Sequence, residues 1–167
     1  MTVKYFGTSN DGWKKIVSVD SLSTASLNIG SIPQHYSELV LVVTNVTAVG
    51  WPIALTVNNI SSASYDYIQM DHTGTTATTT AIGGDTAFSI TNSTTPNDRA
   101  VIRFVAYSDA NTGVRPIESL FNSTSYNHGT VITKGTCRSL TSAITSVGLN
   151  AGGGTFSANN ITLYGVV

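Results

Sequence analysis

The sequence predicts an all-β fold: an antiparallel β-sandwich of jelly-roll-like type with about ten strands. Three observations predict it. Ser, Thr and Asn make up roughly a third of the 167 residues, a composition tilted toward strands and turns. Short apolar segments recur at the spacing of about 8–12 residues that sandwiches and barrels show. No segment carries the 3.6-residue apolar period of an amphipathic helix.

The segments follow in order. In GWKKIVSV the apolar residues Trp13, Ile16, Val17 and Val19 form a first strand with a break in alternation at Ile16-Val17. ASLNIGSIP reads as a short strand, Leu27 and Ile29, stopped by Gly30, with Pro33 as a boundary because it cannot donate to a ladder. ELVLVVTNVT puts Leu39, Leu41 and Val43 on one face and Val40 and Val42 on the other, so this strand is covered on both sides or lies at an interface. PIALTVNN alternates cleanly, and ASYDYIQMD adds Tyr65 and Tyr67 on one face. The Thr-rich tract HTGTTATTTAIGGD is expected to be a long exposed hairpin or loop closing on a Gly83-Gly84 turn. RAVIRFVAYS places Ile102, Phe104 and Ala106 inward and Arg99, Arg103 and Tyr107 outward. IESLFNSTS, TVITKGTCRS and AITSVGLN are shorter β-runs, AGGGTFSAN is a turn region, and NITLYGVV closes the chain.

Charge narrows the functional classes. Eight basic residues against nine acidic ones give a net charge of −1, which provides no electrostatic footprint for nucleic acid or an anionic membrane. Charged residues are only 10% of the chain, so its surface must be largely neutral hydroxyls and amides. Apolar runs fall far short of the ~18 residues needed to span a bilayer. The start, MTVKYFGTSNDGWKK, lacks the apolar run of a signal peptide, and Cys137 is alone, so synthesis in a cytoplasm without disulfide formation is expected. One domain over residues 1–167 is expected.

Residues that carry chemistry are few and scattered. His35, His72 and His128 form no closely spaced pair of the kind zinc sites use. Asp71-His72 is an adjacent acid and imidazole, but strand neighbours point to opposite faces, and a solvated loop start is expected there. Asp66, Asp71 and Asp85 could meet around a calcium ion only if their loops converged, and no regular calcium-loop spacing is present. Glu38 and Glu118 are the only glutamates, and no GxSxG nucleophile elbow occurs. Lys134 and Arg138 near Cys137 could lower its thiol pKa, although a small core filler is the simpler role. The Asn-X-Ser/Thr sequons at Asn45, Asn59, Asn92, Asn122 and Asn160 follow from composition. Trp51, Tyr65, Tyr67 and Tyr126 could form an aromatic platform for sugars, or belong to the core. Neither a catalytic site, a cofactor nor a metal is expected.

Three stretches carry a likeness: ASLNIGSIPQHYSELVLVV, a strand, an Ile-Pro turn with an aromatic, then a Leu-rich strand; IALTVNNISSASYDYIQM, a strand, an Asn turn and a Tyr-bearing strand; and the closing ANNITLYGVV. In order and spacing they resemble small β-sandwich virion proteins of tailed bacteriophages, among them head decoration and tail-fibre proteins. The resemblance implies a non-enzymatic capsid decoration, or cement, protein that binds the major capsid protein on the outer surface of the phage head, as a homotrimer. Residues 1–13 would then be an N-terminal contact arm, with Tyr5, Phe6 and Trp13 as capsid-contact candidates. The alternative it implies is a tail-fibre or receptor-binding tip that recognises a host-surface glycan, with Trp51 and Tyr65 as contact candidates.

Overall fold

The computed structural model describes residues 2–5, 12–48, 52–91, 98–109, 115–123 and 129–167. Their strands are β1 (Thr2–Tyr5), β2 (Trp13–Thr24), β3 (Ser26–Ile29), β4 (Glu38–Ala48), β5 (Ile53–Val57), β6 (Tyr65–Thr73), β7 (Thr76–Asp85), β8 (Phe88–Ser89), β9 (Asp98–Val105), β10 (Ile117–Asn122), β11 (Thr130–Cys137), β12 (Val147–Ala151) and β13 (Phe156–Val166). All pair antiparallel in two sheets, ordered β1-β2-β13-β4-β9-β10-β11-β6-β7 and β3-β12-β5-β8.

The pairing is nested. β2 lies beside β13, β3 beside β12, β4 beside β9 and β5 beside β8, as in one long hairpin folded over on itself. That nesting is the jelly-roll arrangement. Two hairpins are inserted into it, β6–β7 between β5 and β8 and β10–β11 between β9 and β12. They pair with each other through β11 and β6, and through β10 with β9, so they extend the larger sheet beyond the jelly-roll half. β1 adds to the opposite edge, Thr2–Tyr5 facing Asp20–Val17, so part of the expected N-terminal arm is an edge strand of the sheet.

The thirteen strands exceed the expected ten mainly where local pattern is silent. β7 is the Thr-rich tract; its side chains from Thr76 to Ala81 are all exposed, so no burial alternation marks it. The expected Gly83-Gly84 turn is instead a β-bulge inside β7: Tyr65 faces Asp85 while Tyr67 faces Ile82, and Gly84 takes φ +71°. The hairpin reverses at Gly74, φ +58°. A second correction concerns the end of β9. Ala106 has φ +53° in a turn, which exposes it and drives Tyr107 into the core, the reverse of a continued alternation.

The core lies between the sheets. Leu39, Leu41 and Val43 of β4 face it with Ile161 and Leu163 of β13 and Ile102 and Phe104 of β9, against Leu27, Leu55, Val57, Val147 and Leu149 of the smaller sheet. Each such side chain contributes about 1.5–3 kcal/mol through burial. The crossing from β3 to β4 is pinned by side chains: Tyr107 Oη donates to the Pro33 carbonyl at 2.5 Å, and Gln34 Nε2 donates to Ile32 O at 2.7 Å and Ile144 O at 3.0 Å. Tyr36 then packs so closely on β13 that a Cβ at Gly165 would lie 2.3 Å from its ring.

Candidate functional site

Register assembles on the larger sheet's outer face a pattern that no single strand contains. Val42 faces Val101, Val101 faces Leu120, Leu120 faces Ile132, and Ile132 faces Met70. Five adjacent strands thus present one apolar row, continued by Thr162 at one end and Thr79 at the other. Leu120 and Met70 are each 42% exposed, and Ile68 on β6 is also exposed. Strand alternation explains the direction: Phe121 and Val131 turn inward, so Leu120 and Ile132 must turn outward.

The neighbouring row is charged and self-neutralising. Arg103, Glu118 and Lys134 face one another in succession across β9, β10 and β11. Glu38 accepts from Arg103 Nε at 2.5 Å and Nη2 at 2.9 Å, while Lys134 Nζ lies 3.2 Å from Glu118 Oε1. The other flank is polar, with Thr44, Arg99, Asn122, Thr130 and His72 in register. Around Leu120, the side chains of Val101, Arg103, Glu118, Ile132 and Lys134 border a shallow depression of about 310 Å³. An apolar strip rimmed by polar and ion-paired residues is the anatomy of a protein-docking surface.

The inner face of the same strands runs the other way. Behind the apolar row, Ile102, Ser119, Thr133 and Gln69 stand in register on β9, β10, β11 and β6. Ser119 Oγ, Thr133 Oγ1 and Gln69 Nε2 are buried and have no hydrogen-bond partner among the described residues. Buried polar groups of this kind are ordinarily satisfied by internal water or by a ligand. Gln69 borders a cleft of about 350 Å³ where β6 and β7 overhang the row Asn150, Ala54 and Ser89, which strand alternation places on the outer face of the smaller sheet, opposite core-facing Leu149, Leu55 and Phe88. In that cleft Tyr67 Oη donates to Asp85 Oδ2 at 2.7 Å, and the Thr86 N–H donates to Asp85 Oδ1 at 2.6 Å. Burial, with Asp85 beside it, pushes the Tyr67 phenol well above its ordinary range, so it stays a proton donor.

The residues singled out from sequence fare differently. Trp13 is 57% exposed and packs against Tyr164 with ring centroids 5.6 Å apart and planes tilted by 56°, on the same outer face as Val40 and Arg103. Tyr5 is the last residue of β1, its backbone opposite Val17. Phe6 and Trp51 lie outside the described residues, as do His128 and Tyr126. Tyr65 corrects the glycan expectation: it is fully buried, its hydroxyl accepting from Val57 N–H at 2.9 Å and donating to Ile60 O at 3.0 Å, so no ring face is open to a sugar. Its inward position follows from the alternation that also buries Tyr67.

The remaining candidates resolve into structural contacts. Cys137 is buried and its thiol is pushed up by desolvation, so the neighbouring cations do not activate it. Asp71 and His72 lie within β6, not in a loop, and Thr73 Oγ1 donates to Asp71 at 3.1 Å. Asp66 pairs with Arg138 at 2.6 Å and accepts from the Gly84 N–H at 2.8 Å. Among the described residues, no group of three His, Cys, Asp or Glu side chains is gathered closely enough to hold a metal ion. No helix among them is long and apolar enough to cross a membrane.

No protein-family model matches this chain, and neither does any curated protein. Function therefore has to be argued from the two faces of the extended sheet.

Proposed function

We propose that this protein is a non-enzymatic structural module of a tailed-phage virion, a decoration protein that attaches to the major capsid protein of the assembled head. The observation that carries this reading is the solvent-facing row Val42, Val101, Leu120, Ile132 and Met70 with its ion-paired border. A chain that exposes so much aligned apolar surface gains by covering it. Either aligned face-to-face packing of two copies is disfavoured by charge. A two-fold axis along the strands through β10 sets Arg103 on Lys134 and Glu118 on its own copy, and an axis along the apolar row sets Arg103 on Arg99. The face therefore suits a different protein, whose charges alternate in the complementary sense. Trp13 on Tyr164 extends the same face toward the N-terminal edge, which agrees with Trp13 as a capsid contact. In this reading three copies gather at a local symmetry axis of the shell.

The test is the copy number per purified virion, measured by quantitative mass spectrometry against the major capsid protein, for the wild type and Leu120→Asp. The expected result is stoichiometric occupancy of the shell for the wild type and loss of occupancy for the variant, with the variant still folded. A handful of wild-type copies per particle would shift the reading to a tail or fibre tip, and full occupancy by the variant would overturn the docking face.

A further inference from the structure

The cleft where β6 and β7 overhang the smaller sheet is separate from the larger sheet's outer face, and its chemistry points to a different kind of ligand. We propose that it is a binding site for a neutral polyhydroxylated molecule the size of a single sugar ring. About 350 Å³ falls at the lower end of the range of small-molecule sites and suits one ring better than an extended chain.

The lining is what such a ligand needs. Asp85 is the only formally charged residue among the described residues of its lining, and that lining offers nothing to an anion. Its carboxylate is held rigidly by Tyr67 and the Thr86 N–H, yet a carboxylate has about four lone-pair directions, so acceptor capacity is left for ligand hydroxyls. Asn150 brings an amide from β12 on the opposite sheet. Gln69, only 6% exposed, has an amide nitrogen with no acceptor among the described residues, and a buried donor left unpaired is destabilising unless something outside the chain accepts from it. Ile82, Pro52 and Ala54 supply apolar wall against which the C–H face of a ring can lie. Acceptor, donor and apolar wall converging on one ring-sized space match the two-sided chemistry of a sugar, polar at its edge and apolar on its face. The site differs from the surface aromatic platform expected from sequence, because Tyr67 contributes its hydroxyl through Asp85 and not an exposed ring.

The experiment is a titration of isotope-labelled protein with glucose, galactose, mannose and N-acetylglucosamine, followed through the amide signals, with glycerol and propylamine as controls. At least one sugar should saturably shift the side-chain amides of Gln69 and Asn150 and the backbone of residues 86–89. Asp85→Asn should weaken that binding about tenfold or more, close to 1.4 kcal/mol. Gly152→Leu, adding a side chain at a lining position where a Cβ meets nothing within 4 Å, should abolish it. Leu120→Asp should leave it intact, which separates this site from the docking face. No saturable shift with any sugar, equal shifts with glycerol (an adventitious additive only), preference for the amine, or binding that survives Gly152→Leu would each overturn the proposal.

Discussion

The two halves of the larger sheet fill their inner faces differently. In the jelly-roll half, β4 and β13 send Leu39, Leu41, Val43, Ile161 and Leu163 inward, and Thr44, Asn160 and Thr162 share the outer face with Val40 and Val42. In the extension built by β10, β11 and β6, the central rows are reversed: Ser119, Thr133 and Gln69 face in, while Leu120, Ile132 and Met70 face out. The inner face of the first half is explained by folding alone. The second is not, because an isolated domain gains nothing from apolar side chains in water and loses by burying unpartnered polar atoms. The difference separates what the chain needs in order to fold from what it holds ready for other molecules.

The largest effect should come from contrasting the two halves directly. Leu41→Ala is expected to cost about 2–5 kcal/mol in denaturant unfolding, by removing a fully buried side chain from the core. Leu120→Ala, the same chemical change on the extension, should cost less than about 0.5 kcal/mol. A large loss at Leu120 would mean the outer row is folded-state packing, and the comparison would fail.

A second effect concerns the tyrosines. Burial raises the Tyr65, Tyr67 and Tyr107 phenols above their ordinary value of 10.0, most strongly for the first two on the inner face of β6. A raised phenol stays neutral in the folded protein while the unfolded chain ionises. The stability these groups contribute is thus complete below pH 10 and is lost as pH rises above it. Unfolding free energy followed by circular dichroism should be flat approaching that pH and fall beyond it, and Tyr67→Phe should make the fall shallower. A decline unchanged in Tyr67→Phe would mean that this hydroxyl is not held protonated in the fold.

How far the sequence reaches is seen in the same residues. The two-sided pattern of Leu39 to Val43 correctly marked a central strand, and Pro33 correctly marked its boundary, because both signals are local. The nesting of β2 with β13 and β3 with β12 joins residues more than a hundred positions apart, and no local period encodes it. The apolar row was missed for that reason. IESLFN and TVITKGTC each alternate plausibly in either orientation, and only the register of five strands shows Leu120, Ile132 and Met70 to be aligned. Tyr65 failed as a glycan contact because an aromatic on a half-buried strand carries no mark of which face it takes. The cleft depends on β6 and β7 overhanging the smaller sheet, and that long-range arrangement leaves no motif.

The smallest effect probes the inner row. Thr133→Val keeps the shape and removes a buried hydroxyl that has no partner among the described residues, so it should be neutral or stabilising by up to about 1 kcal/mol. A clear destabilisation would mean that ordered water already completes the row, and the polar interior would then be part of the fold itself.

The outer face is tested most directly by the chemistry of Met70, a thioether 42% exposed at the end of the apolar row. Its oxidation by dilute peroxide can be followed by peptide mass spectrometry in the isolated protein and in the same protein on purified heads. The account predicts rapid sulfoxide formation in the free protein and several-fold slower formation on the particle. Equal rates in the two states would contradict the claim that the capsid covers this face.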